Sequence, residues 1–312
     1  MGKARGMTTA AIGSPEWRRQ EERRQRRRGI VASYLFLMPY LILLLMFGAF
    51  PVFYAFGLSF TDTFEGEFGV LLNYQFVFSD FRVPRAVGNV ASFAAIWVTM
   101  TLLGVTIFSL ILDSLSRRSA TVIRSIYFLP GSVIASALVV LWLFILDPTV
   151  SPFGPILSLA GWETLQDVIT GLSYPVVFAI MAFFSASGGW IVVIGGSLAG
   201  LPTEVMEAAR VDGANRFQMA LRIKLPLIWR SLILMAILTF AAGLQIFVEP
   251  QLMSMAGAQF TQSDWSLNQL AYQYAFRMGD FGASAALSTM LVGTSIAIAL
   301  VIVFVTRFYR ID

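Results

Sequence analysis

Cysteine and histidine are both absent from the 312 residues. Without a thiol there is no disulfide, no thiolate metal ligand and no cysteine nucleophile. Without imidazole the usual zinc, haem and histidine-based nucleophile arrangements are excluded as well. Lysine occurs only at Lys3 and Lys224, outside the long apolar runs, which removes a serine-lysine dyad inside a membrane. No GxxxxGK[ST] phosphate-binding sequence occurs, so ATP chemistry lies outside this chain. Charge is scarce too: 13% of residues are charged, 57% are hydrophobic, and the mean hydropathy is +0.74. These values are too apolar for a soluble domain and indicate an all-α polytopic membrane protein.

What charge there is has a distribution. Residues 1–28 hold nine of the 22 basic residues and no apolar periodicity, the composition of a disordered basic tail that controls topology. The following run, 30–60, is too long for the core of a secretory signal and has no small-residue cleavage site. It is the first expected span, with Pro39 and Pro51 as expected kinks. Further spans are expected at 87–112, 125–146, 172–198, 231–253 and 282–308, giving a six-helix domain over 29–312. With both termini inside, nineteen basic residues fall on the cytoplasmic side, and only Arg82, Arg85 and Arg277 fall outside. The basic pI near 9.6 therefore reflects membrane topology and not a nucleic-acid partner.

One polar island, 201–226, breaks the apolar pattern and has to face water. Pro202 suits the first turn of a short helix carrying Glu204, Glu207, Ala208 and Ala209. Gly213 permits a sharp change of direction, Asn215 is placed to cap a second helix toward Lys224, and Pro226 is expected to stop or kink it. A connecting loop with an amphipathic helix in the headgroups has the same gross pattern, and the spacing of individual residues separates the two readings.

That spacing runs Glu207-Ala208-Ala209, three residues, Gly213, nine residues, Ile223, one residue, Leu225-Pro226. It resembles the coupling motif of binding-protein-dependent ABC importer permeases, and Asp212-Gly213-Ala214 is similar to the sugar-importer branch. Looser likeness covers most of the chain: 36–39, Phe50-Pro51, Ser59-Phe60, Asn73-Tyr74, Asn89, Phe128-Leu129-Pro130, 267–276 and 282–288. Two departures stand out. The chain reads Ser254-Met255-Ala256-Gly257-Ala258 where many relatives have glycine-glycine-proline, and it lacks the glycine-lysine-glycine ending common in the second permease of a pair.

The resemblance implies a type I ABC importer permease fold in the bacterial cytoplasmic membrane, with the coupling loop at 200–230. It implies a second homologous permease, two cytoplasmic ATPase subunits and an extracytoplasmic solute-binding protein as partners, besides the lipid bilayer. ATP and magnesium would be bound by the ATPases and no cofactor by this chain. Within the loop, Glu207 is expected to contact the ATPase, Ala208 and Ala209 to form a close-packed face, Arg210 and Asp212 a polar rim, and Gly213 the bend, with Ile223 and Pro226 completing the motif. The solute is expected to be a sugar or polyol; glycerol phosphate diesters or another organic solute are the alternative. For such a solute, Ser185, Trp190, Thr239 and Gln245 offer hydrogen bonds or an aromatic face within the spans. The competing reading gives Ser185 and Thr239 to helix-backbone bonding and Trp190 to packing. Glu249 either lines the path or meets interfacial water. An intramembrane enzyme lacks its histidine, cysteine and any carboxylate pair at one depth.

Overall fold

The computed structural model describes residues 33–69, 71–256 and 261–306. The expected basic tail 1–28, residues 257 and 258 of the altered outer loop, and 307–312 lie outside the described residues. Among the described residues the chain is helical, apart from an isolated antiparallel bridge between Thr61 and Phe68.

Helix α1, Ser33–Leu58, belongs up to Gly57 to a compact unit of its own. Its 26 residues extend about 39 Å, enough to cross the hydrocarbon layer. The sequence predicts kinks at Pro39 and Pro51, but the helix continues through both. Ahead of Pro51 it widens into a π turn over Leu44–Ala49, where the Phe50 N–H reaches back five residues to the Leu45 carbonyl. Proline lacks an N–H and its ring crowds the carbonyl four residues earlier, here that of Phe47, and the wider turn accommodates both effects.

The second unit, Leu58–Asp312, holds the rest. In order it contains α2 (Leu72–Ser79), α3 (Arg82–Asp113), α4 (Arg117–Phe128), α5 (Ala135–Leu146), α6 (Gly154–Leu159), α7 (Leu165–Leu172), α8 (Tyr174–Ala199) and α9 (Thr203–Val211). There follow α10 (Arg216–Gln218), α11 (Trp229–Leu244), α12 (Val248–Ala256), α13 (Leu267–Phe276) and α14 (Phe281–Val305). With α1, the helices α3, α8 and α14 and the α11–α12 stretch Trp229–Ala256 are each long and apolar enough to span, and α4 with α5 makes a sixth, bent span.

Helices α3 and α8 form the most extensive contact in the fold. On α3, Val90, Ala94, Trp97, Thr101, Val105, Ser109 and Leu112 recur at three- and four-residue spacing and are all buried; Val177, Met181, Gly188, Ile191 and Leu198 lie buried along α8. At the α9 end this packing continues into a cluster with Ala120, Ile228 and Met235. At the opposite end it joins Leu138, Trp142, Ile169 and Trp265.

The third span differs from the straight run expected at 125–146. It starts earlier, at Arg117, where the Ser116 hydroxyl accepts the Ser119 N–H at 3.3 Å, so Arg117, Arg118 and Arg124 sit on a helix and not in a loop. It then breaks: a 3-10 turn over Leu129–Ser132 precedes an extended Val133 and Ile134, and the two halves meet at 101°. Pro130 withholds an N–H at the break. The bent span lies so close to α8 that a Cβ on Gly188 would come within 2.0 Å of the Tyr127 carbonyl oxygen.

The segment expected as an outer loop, 254–280, is also partly helical. Helix α12 runs on to Ala256, and α13 opens with a capping box in which Ser266 and Gln269 satisfy each other's backbone N–H groups. An ion pair clamps α13 to the start of α3. Arg82 donates Nη2 to Asp80 Oδ2 at 2.7 Å and Nε to Oδ1 at 3.0 Å, while Tyr274 donates its hydroxyl to Asp80 at 2.7 Å and Arg82 reaches Gln273 at 3.2 Å. Nearby, Asn73 donates to the carbonyls of Ser59 and Thr61, and Asn89 to that of Trp265. The polar residues of these connecting segments thus hold the chain's own connections together.

Two measurements check this packing. Gly188→Val should lower the stability of the detergent-solubilised protein by about 1–3 kcal/mol, read as a fall in melting temperature, because the blocking atom is backbone. Gly189→Ala, with no atom within 4 Å of its Cβ position, should leave the melting temperature unchanged. Asp80, whose side chain is 7% exposed, has its pKa drawn down to about 2, chiefly by the Arg82 hydrogen bonds acting against burial. A depressed carboxylate stabilises the fold fully above its unfolded value of about 4 and loses that contribution as pH falls through its folded value. Asp80→Asn should therefore cost about 1–3 kcal/mol at neutral pH, and the gap in melting temperature from the unaltered protein should close between pH 4 and 2.

Candidate functional site

The polar island builds two helical pieces joined by a locked turn. Helix α9 begins after Pro202 and ends in a Schellman motif, in which the Gly213 N–H donates to the Arg210 carbonyl at 3.1 Å and the Ala214 N–H to the Ala209 carbonyl at 3.0 Å. Gly213 supplies the left-handed φ of +81° that this motif needs. No atom lies within 4 Å of its Cβ position, so the backbone angle and not crowding calls for glycine. Asn215 then opens α10 with a capping box: its side chain accepts the Gln218 N–H at 2.8 Å, and the Gln218 side chain accepts the Asn215 N–H at 2.9 Å.

The helix expected to stop or kink at Pro226 passes the proline and ends one residue later, at Leu227, with Ile228 as its cap. The helix widens into a π turn over Met219–Lys224 and carries on through Leu225–Leu227, with the Leu225 N–H reaching Ala220. The π turn stands in the same relation to Pro226 as the one in α1 does to Pro51, and the crowded carbonyl is that of Arg222.

Three ties fix this segment to the bundle. Lys224 forms an ion pair with Asp113, the last residue of α3. Ile228, 2% exposed, enters the cluster with Val105, Leu112 and Leu198. The hydroxyls of Ser197 and Ser231 meet at 2.9 Å where α8 ends and α11 begins.

Glu207, Ala208, Arg210, Asp212, Gly213 and Pro226 are exposed, and Ile223 is half-buried. Ala209 is buried against its own chain. The single packed face expected of Ala208 and Ala209 is therefore split, since consecutive helical residues point about 100° apart. Two apolar residues of this segment that the sequence reading passed over stand out: Val211 is 88% exposed and Phe217 73%. Large apolar side chains on an otherwise polar, water-facing segment mark a contact surface. Their isolation within that polar island was the available signal.

The five expected solute-path residues do not form one cluster. Ser185 donates to the Ala182 carbonyl at 3.0 Å, as its helix-backbone reading has it, and Trp190 packs against the cluster of Val105, Ile191 and Met235. Gln245 is exposed at the break between α11 and α12; Glu249, half-buried just beyond, pairs with no described cation. Thr239 is 2% exposed, and its hydroxyl has no hydrogen-bond partner among the described residues. The Trp97 indole N–H and the Thr101 hydroxyl share that property on α3, and Trp97 packs on Gly243, one turn beyond Thr239 on α11. Trp97 and Thr101 were missed in the sequence because an indole and a threonine in an apolar run read as packing.

A family model described as "Binding-protein-dependent transport system inner membrane component" matches residues 106–311. The chain is 27% identical over 278 residues to the probable ABC transporter permease protein YurN of Bacillus subtilis, covering 86% of this chain and 94% of that one. It is 27% identical to the trehalose/maltose transport system permease protein MalF of Thermococcus litoralis, covering 89% and 94%. It is 24% identical to the multiple sugar-binding transport system permease protein MsmF of Streptococcus mutans, covering 83% and 89%. Its fold matches a crystal structure of a bacterial ABC transporter involved in the import of the acidic polysaccharide alginate, with a TM-score of 0.74 at 17% identity over 92% of this chain and 98% of the other. With two thirds of its length under that family model and six apolar spans, the chain belongs to the inner-membrane components of binding-protein-dependent transport systems.

Proposed function

We propose that this chain is a transmembrane permease subunit of an ATP-driven ABC importer for a sugar or polyol. It works beside a second, homologous permease, receives solute from an extracytoplasmic binding protein, and carries no catalytic residue. Two ATPase subunits hold the ATP and magnesium, and the segment from α9 to Leu227 is where one of them docks in the cytoplasm. The observation that carries this reading is the exposure of Glu207, Val211 and Phe217 on a locked helix-turn-helix that is tied to the bundle by Lys224 and Ile228.

In this mechanism the docked face moves when the ATPases close. The Schellman turn and the Asn215 capping box keep α9 and α10 at a fixed angle, so force on α9 reaches the π turn and the Lys224–Asp113 pair without being lost in the loop. Asp113 passes it to α3 and Ile228 to α11, the two helices whose seam holds Trp97, Thr101 and Thr239. A change in how these helices cross would alternate access to that seam. Neutral hydroxyl and indole groups suit a solute rich in hydroxyls.

The tagged chain, expressed with its neighbours and solubilised in detergent, should retain an ABC ATPase and a second six-span permease. Glu207→Lys or Phe217→Ala should each weaken ATPase retention by about 2 kcal/mol or more, roughly thirtyfold, while the permease still inserts. Normal uptake and normal ATPase stimulation by Glu207→Lys would remove the docking assignment. Loaded binding protein should stimulate the reconstituted ATPase with a sugar or polyol, and a response only to a glycerol phosphate diester would reassign the solute. At the turn, Gly213→Asn should preserve coupling of hydrolysis to uptake, whereas Gly213→Val should uncouple them, because the strain lies in φ and not in volume.

A further inference from the structure

Between the coupling segment and the bundle lies a cavity of about 370 Å³ that the docking reading does not use. Its polar lining consists chiefly of Asp113 at the end of α3, Arg210 of α9, Arg216 of α10 and Lys224, and Leu110 and Met219 supply apolar wall. Lys224 is neutralised by Asp113. The guanidinium groups of Arg210 and Arg216 make no ion pair with a described residue, which leaves the cavity with an excess of positive charge.

We propose that this cavity binds a phosphate group. Two arginines lining one space, with no described carboxylate paired to either, match a tetrahedral, multiply charged anion better than a planar carboxylate, since each guanidinium offers paired donors to phosphate oxygens. The volume falls at the lower end of the roughly 300–1,000 Å³ typical of small-molecule sites. The apolar wall accommodates the carbon skeleton that carries the phosphate. Depth narrows the source to two. Asp113 closes one membrane-spanning helix and Trp229 opens another, so the cavity lies at headgroup level, open both to a phospholipid of that leaflet and to a small phosphate ester in the adjoining water. An anion held there bridges α9 and α10 to the end of α3. The site stands on this geometry alone, whereas its effect on coupling rests on the docking function proposed above.

The full-length chain, purified with the partners it retains, is titrated with inorganic phosphate against sodium chloride at matched ionic strength. In parallel it is reconstituted in vesicles of phosphatidylcholine alone or mixed with phosphatidylglycerol, and lipid carried through purification is identified by native mass spectrometry. A melting temperature raised by phosphate beyond chloride identifies a soluble ester as the natural source. Selective retention of phosphatidylglycerol, with a raised melting temperature only in its presence, identifies the lipid. In either case Arg210→Gln and Arg216→Gln should each weaken the response about tenfold, and the double variant should abolish it while melting normally in chloride. The proposal fails if neither probe acts beyond chloride, or if the double variant responds as before. It fails equally if the double variant loses only the ATPase, since the two cations then belong to a protein contact. An anion response that persists in a preparation without any ATPase supports the phosphate site independently of the docking assignment, which stands or falls on ATPase retention.

Discussion

A peptide group in hydrocarbon has no water to bond, so every break in a spanning helix must be satisfied by the protein itself. That constraint organises this chain. Its prolines do not simply end helices: ahead of Pro51 and Pro226 the helix widens by one residue, and at Pro130 the chain turns through a 3-10 segment and two extended residues. The sharp break at Pro130 lies directly against α8, where Gly188 lets the two backbones meet almost without intervening atoms. The absence of a side chain at one position thus allows a broken span to be covered by a neighbouring helix.

The two ion pairs found between described residues sit at opposite ends of α3. At one end Arg82 is held by Asp80 and, through Tyr274 and Gln273, by α13; at the other Asp113 is held by Lys224 of the polar island. Between them lie 32 helical residues, about 48 Å of rod with no break. The middle of α3 makes its contacts through apolar packing, which tolerates sliding, and the ends make theirs through directional bonds, which do not.

Much of this was legible in the sequence, and for uneven reasons. Hydropathy located the spans to within about five residues, except the start of the third, because lipid imposes length and composition whatever the partners. The turn at Gly213 was legible because its signals are local: Gly213 and Asn215 act within their own hydrogen-bonding neighbourhood. The bend at Pro130 was not legible, since an apolar run has the same composition straight or folded. Helix α13 was hidden by its polarity, although the capping residues Ser266 and Gln269 stood in plain view. The buried hydroxyls of Thr101 and Thr239 were the hardest to assign, because which face of a spanning helix meets protein is decided by its neighbours and not by its own residues.

The π turn over Met219–Lys224 has one more implication. It places an extra residue in a helix without lengthening it appreciably, so what it sets is azimuth: each surplus residue rotates everything beyond it by about 100°. The span that starts at Trp229 is aimed by that surplus, and its buried face, with Met235, Thr239 and Gly243, points at α3 only while the count is kept. Substitutions in the stretch leave that aim intact, whereas loss of a single residue would turn the whole helix away from its neighbour and toward lipid.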